Sequence, residues 1–168
     1  MTATYPALAS DYFYPGQESL DPPNDGFASA RRDKCPPPAA PPRPLSVLLI
    51  ESHPDCAETM AMLLGIYGYR VTVAADAETA LRAAAQAPPD VVIAELRMPV
   101  GDGCGLVRRL RALMAVSPPL VIAVTTGGRD EDRRRAAEAG VDVHLVKPAD
   151  PRELEAVLGR YAAGRAAT

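Results

Sequence analysis

Four short apolar runs each end abruptly in a polar or charged residue, with Ala-rich amphipathic stretches between them, and few folds accommodate that alternation. Val47-Leu48-Leu49-Ile50 leads into Glu51-Ser52, and Val91-Val92-Ile93-Ala94 leads into Glu95. Leu120-Val121-Ile122-Ala123-Val124 leads into Thr125-Thr126, and Val143-His144-Leu145-Val146 into Lys147-Pro148. Runs this short and this apolar suit strands buried on both faces. Strands alternating with helices are the signature of repeated βαβ units and a parallel sheet. Ligands bind just beyond the carboxyl ends of such strands, so acids, hydroxyls and one amine gathered there describe a site.

From Leu45 onward the pattern predicts strands near 46–51, 70–74, 91–95, 120–125 and 142–146, and five helices. Helix one opens at Pro54, where the missing N–H costs nothing, and stops near Gly68. Helix two takes Asp76 as its N-cap and turns Ala80, Leu81 and Ala84 inward. Helix three follows Gly101-Asp102-Gly103, with Leu106, Leu110 and Leu113 spaced to bury. Helix four starts at Asp130 and ends at Gly140; helix five starts around Asp150-Pro151 and buries Leu154, Val157 and Leu158. Topology rules then favour right-handed crossovers and a doubly wound sheet.

Ten of the 18 prolines fall in residues 1–44, a stretch without helical or strand period, so a disordered Pro-rich tail is expected there. Residues 45–163 form the expected domain, and 164–168 a short C-terminal tail. A net charge of -3 gives no broad footprint for nucleic acid. Cys35, Cys56 and Cys104 are odd in number and lack a Cys-x-x-Cys pair, which argues against a disulfide framework or zinc site; Cys56 and Cys104 read as small buried residues. No apolar stretch approaches membrane-spanning length and no leader pattern opens the chain, so a cytoplasmic protein without membrane contact is expected.

The order Glu51-Ser52, Glu95-Leu96-Arg97-Met98-Pro99, Thr125-Thr126, Lys147-Pro148 resembles the receiver domain of two-component response regulators over about Leu45 to Tyr161. That family carries acids after its first strand, a phosphoacceptor Asp in an Asp-x-x-Met-Pro segment, Thr or Ser after the fourth strand and Lys-Pro after the fifth. The resemblance implies a flavodoxin-like α/β fold, with strand order 2-1-3-4-5 and five helices. It also implies Mg²⁺ held by Glu51, Ser52, Glu95 and the backbone carbonyl of Arg97, with Thr125 and Lys147 on the phosphoryl oxygens. Thr125 and His144 take the switch positions, and at that of His144 the family often carries an aromatic side chain that swings inward when the Thr moves. His144 reads equally as an edge-strand histidine; His53 reads as a solvent-facing loop residue without a role.

Two positions depart from the pattern: Glu95 replaces the acceptor Asp, and Ser52 replaces the second acid. One extra methylene moves a carboxylate by about 1.5 Å, and a misplacement of about 1 Å can cost on the order of 100-fold in an alignment-dependent reaction. A neutral hydroxyl is also a poorer Mg²⁺ ligand than a carboxylate, so metal binding should weaken. The longer acid should instead reach toward Thr125 and Lys147, imitating part of a phosphorylated state. Lys147 is singled out independently, because the chain has 16 Arg and only two Lys, and the other, Lys34, lies in the tail.

The sequence therefore predicts an atypical, stand-alone receiver protein that signals by protein–protein contact rather than by catalysis. Its expected partners are a sensor histidine kinase, a phosphotransfer protein or a downstream regulator, with a homodimer through helix four, strand five and helix five as a further option. A conventional receiver with residual phosphorylation is one alternative, and a small phosphate-processing enzyme is another. The enzyme lacks support from any second nucleophile or glycine-rich phosphate cradle at the strand ends.

Overall fold

The computed structural model describes residues 43–99, 101–126 and 128–166, which belong to the compact unit Ala39–Thr168. Residues 1–42 of the expected tail, Cys35 among them, lie outside the described residues, while Arg43 near its end reaches the Asp90 carboxylate at 3.0 Å. The elements run β1 (Ser46–Ile50), α1 (Pro54–Ile66), β2 (Arg70–Ala74), α2 (Ala77–Gln86), β3 (Val91–Ala94), α3 (Gly103–Leu113), β4 (Leu120–Thr125), α4 (Asp130–Ala139), β5 (Val143–Val146) and α5 (Pro151–Ala166). The strands form one parallel five-stranded sheet in the order β2-β1-β3-β4-β5, the doubly wound topology expected from the alternating pattern.

Both faces of the sheet are covered, as continuous apolar strands require. Leu48, Ile50, Val92, Ala94 and Val121 pack with Ala80 and Ala84 of α2, Leu106, Val107 and Leu110 of α3, and Ala139 of α4. Val47, Leu49, Val91, Ile93, Ile122, Val124 and Leu145 pack with Leu64 of α1 and Leu154, Val157 and Leu158 of α5. Small residues on α2 allow that helix to sit close to β1 and β2, whereas α4 packs mainly beside α3. Among the described residues, no helix is long and apolar enough to cross a membrane.

Local signals explain the element ends. Asp76 accepts the Thr79 N–H at 2.8 Å and caps α2, while Asp102 accepts the Cys104 N–H at 3.1 Å and caps α3. Gly140 closes α4 at φ 100, a left-handed conformation that favours glycine. Gly103 is required for a different reason: a Cβ there would sit 2.5 Å from Leu96 Cα and nearer still to the Leu96 carbonyl oxygen. The start of α3 is thereby pressed against the backbone that follows Glu95.

Three expectations are corrected. Leu113 is 49% exposed rather than buried, because it is the last residue of α3 and Met114, at the C-cap, turns into the core in its place. Cys56 is exposed in the first turn of α1, whereas Cys104 is buried as expected. α5 continues to Ala166, beyond the expected boundary at 163, and Arg165 in its last turn reaches the buried Asp90 carboxylate at 3.1 Å.

Leu110 and Leu113 thus separate core packing from hydrophobicity alone. Leu110→Ala should cost about 2–5 kcal/mol and Leu113→Ala less than about 1 kcal/mol, read as midpoint shifts in urea unfolding. Equal losses would contradict this core assignment.

Candidate functional site

Strand register brings the site together. Ile50 pairs with Ala94, so the residues that follow, Glu51 and Glu95, emerge side by side from the two neighbouring strands. The sheet hydrogen bonds continue one step further: Glu51 N–H donates to Ala74 O at 3.1 Å and Glu95 N–H to Ile50 O at 2.9 Å. Thr125 pairs with Val146 in register, and Lys147 N–H donates to Thr125 O at 2.9 Å. All four polar strand ends therefore lie along one edge of the sheet, as the sequence predicts. The Lys147–Pro148 peptide is cis.

The chemistry centres on Lys147. Its Nζ lies 2.6 Å from Glu51 Oε2 and 3.1 Å from Glu95 Oε2, so one ammonium bridges two carboxylates. Glu51 and Glu95 are only 6% and 7% exposed and Lys147 29%, which limits screening of these contacts by water. The remaining carboxylate oxygens are held by matching devices. Glu51 Oε1 accepts the His53 N–H at 3.0 Å, and Glu95 Oε1 accepts the Arg97 N–H at 2.8 Å, each from the amide two residues on. The His53 ring Nδ1 also lies 3.3 Å from Glu51 Oε1. His53, expected to have no role, thus helps to fix Glu51. Arg97 presents its amide N–H to Glu95, while the carbonyl that the family resemblance assigns to a metal is a separate atom of the same residue.

Burial by itself would raise the Glu51 carboxyl pKa, but the Lys147 hydrogen bond, the His53 amide and the Lys147 charge outweigh it and hold the pKa below the ordinary value. Burial likewise opposes the charged form of Lys147, yet hydrogen bonds to Glu51 and Glu95 and their charges raise its pKa. The two shifts agree: ion pairing overcomes desolvation on both partners.

The other predicted residues lie beside this triad. Thr125, Arg97 and His144 line a cavity of about 560 Å³ with Asp102, Cys104 and Asp132. Both ring nitrogens of His144 are buried without a hydrogen-bond partner among the described residues, and so is Ser52 Oγ. Burial and then the nearby Arg133 push the His144 pKa below its ordinary value, against smaller opposing contributions from Asp132 and Glu95. Asp132 was legible only as an acid favouring the start of a helix. Its link to the site is the Arg97 guanidinium, 3.4 Å from Asp132 Oδ2.

The donor set does not fit Mg²⁺ as arranged. Every oxygen of the two carboxylates already accepts from an amide or from Lys147, and Ser52 offers a neutral hydroxyl. Among the described residues no three His, Cys, Asp or Glu side chains group as metal ligands. A dication here would face an ammonium between its two anionic ligands.

Residues 47–159 match the family model for the response regulator receiver domain. A 14.6 kDa protein of Leptolyngbya boryana is 32% identical over 117 residues, covering 70% of this chain and 89% of the relative. The gliding motility regulatory protein of Myxococcus xanthus is 35% identical over 124 residues, covering 73% of this chain but 16% of that protein. Among solved structures, the chemotaxis protein CheY4 of Vibrio cholerae superposes with a TM-score of 0.64 at 29% identity, covering 70% of this chain and 98% of that one.

The triad should leave a signature in stability against pH. Glu51, with its folded-state pKa depressed, stabilises the fold above its ordinary value of 4.5, and that contribution is lost as pH falls through the folded-state pKa. Lys147, with its pKa raised, stabilises the fold below 10.5, and that contribution is lost as pH rises through the folded-state pKa. Lys147→Met should cost about 1–3 kcal/mol near neutral pH, less than for a fully buried pair because Lys147 is partly exposed. It should also shift the acid limb of melting temperature against pH upward. An unshifted acid limb would show that Lys147 does not hold Glu51 ionised.

Proposed function

This chain belongs to the response regulator receiver domain family, and we propose that within two-component signalling it acts as an atypical receiver whose site carries its own charge pair in place of a transferable phosphoryl group. Receiver domains typically work as signalling modules rather than enzymes, and they interact with histidine kinases and downstream effectors. They also generally bind Mg²⁺ at the phosphorylation site.

The observation that carries this reading is the Lys147 ammonium lying 3.1 Å from Glu95 and 2.6 Å from Glu51. By the family pattern Lys147 is the cation that meets a phosphoryl oxygen, Thr125 supplies the hydroxyl, and Glu95 stands at the acceptor position. An acid already bonded to that cation resembles the charged partner the phosphoryl group would otherwise supply. It does so with about one negative charge against the roughly two of a phosphate. Phosphoryl transfer depends on positioning and on charge cancellation. Here the nucleophilic oxygens are engaged with Arg97 N–H and Lys147, and Mg²⁺ binding is weakened by Ser52 and by Lys147 itself.

Signalling would then run through protein contacts, with a sensor histidine kinase, a phosphotransfer protein or a downstream regulator as partner. The α4–β5–α5 surface is the proposed contact face, including for a second copy. The small size of the L. boryana relative, spanned over 89% of its length, supports a stand-alone role.

Incubation with acetyl phosphate and Mg²⁺ should leave the intact mass of the wild-type chain unchanged. The double substitution Ser52→Asp with Glu95→Asp should gain one labile phosphoryl group. A labile phosphoryl gain on the wild type would overturn the reading and favour a conventional receiver.

A further inference from the structure

His144 stands out because the sheet gives its ring no polar partner. Its backbone pairs in register with Ala123, and both ring nitrogens are buried without an acceptor or donor among the described residues. A buried, unpaired imidazole is costly, yet the ring borders a cavity large enough to turn into. Asp132, 28% exposed in the first turn of α4, lines the same cavity. Among the described residues its carboxylate has a long contact, 3.4 Å from the Arg97 guanidinium, weaker than a well-formed charge-assisted bond. Arg97 in turn holds Glu95 through its amide. Arg97 therefore joins the strand-end site to α4, and its grip on α4 is loose.

We propose that His144 and Arg97 compete for Asp132, so that this corner of the fold is a proton-operated switch between two arrangements of the first turn of α4. With the imidazole neutral, the ring stays packed against the sheet and Asp132 stays on Arg97. When the ring takes a proton from solvent, it turns into the cavity and donates an N–H to Asp132, and the Arg97 guanidinium is released. No bond other than the new N–H is formed, and no co-reactant is consumed. His144 supplies the two-state element and Asp132 the contact that differs between the states.

The charges around the ring set the direction. Glu95 faces it from the end of β3, Arg97 from the loop that follows, Asp102 and the Cys104 thiol from the start of α3, and Asp132, Arg133 and Arg135 from α4. Burial and Arg133 disfavour the proton in the packed position. A carboxylate partner in the turned position favours it. Acidification therefore populates the turned state, and a rise in pH restores the packed one. This device does not depend on whether Glu95 accepts a phosphoryl group, because its moving parts are His144, Asp132 and the Arg97 side chain.

The test is an NMR pH titration of the full chain, following ring signals, the Arg97 side chain and α4 backbone amides. The chain has two histidines, so a His53→Gln variant assigns the ring signals. The switch predicts that the His144 ring, the Arg97 guanidinium and the α4 first-turn amides share one midpoint. It also predicts that Asp132→Asn lowers that midpoint and that His144→Phe abolishes the α4 response while the fold persists. It would be overturned by a His144 ring that titrates while α4 does not follow, by a midpoint unmoved by Asp132→Asn, or by an α4 response that survives His144→Phe. A ring that never titrates above acid unfolding would overturn it as well.

Discussion

One ammonium shared between two nearly buried carboxylates is the interaction on which this site depends. Neither acid can stay ionised cheaply out of water, and neither is left alone. Each has one oxygen on an amide two residues ahead and the other on Lys147. The arrangement costs little reorganisation because strand register alone delivers its parts: Ile50 opposite Ala94 sets Glu51 beside Glu95, and the backbone bond from Lys147 to Thr125 sets the cation. Two acids and one base leave a formal excess of one negative charge. That balance disfavours a second anion and leaves a dication to compete with Lys147 for the same oxygens.

The same loop that fixes Glu95 also communicates outward. Gly103 lets the start of α3 lie against Leu96, and Arg97 spans from Glu95 to Asp132 on α4. A change of charge at the strand ends therefore has a short physical route to the first turn of α4. At the far end of α4, Arg111 accepts the opposite role. Its guanidinium donates to Gly140 O at 2.7 Å and to Asp142 at 2.6 Å, fastening the helix where it ends. The helix is thus firmly tied at its C-terminus and lightly tied at its N-terminus, beside the cavity.

Much of this was legible in the sequence because it rests on period and on residue type. Apolar runs ending in acids, hydroxyls and an amine gave the strands and their common edge, and the scarcity of lysine marked Lys147. The misses have physical causes. Leu113 fits the helical period, but period cannot say that the helix stops there and that Met114 supplies the final core contact. Arg165 reaches back from α5 to Asp90 across the fold, a pairing invisible to local pattern. His53 holds Glu51 at 3.0 Å through its backbone N–H, a group that every residue but proline carries, with its ring 3.3 Å from the same oxygen, and neither contact follows from a local sequence period. The division of the candidate residues into a charged triad and a cavity holding Thr125 and His144 needed coordinates, because it depends on which way each strand end turns.

The most direct measurement is a double-mutant cycle between Lys147 and Glu95, with Lys147→Met, Glu95→Gln and the double variant compared by urea unfolding at neutral pH. An internal, preformed pair predicts a coupling energy above about 1 kcal/mol, larger than exposed ion pairs usually show. Additive losses, with coupling below about 0.3 kcal/mol, would mean that the acid and the amine do not hold one another.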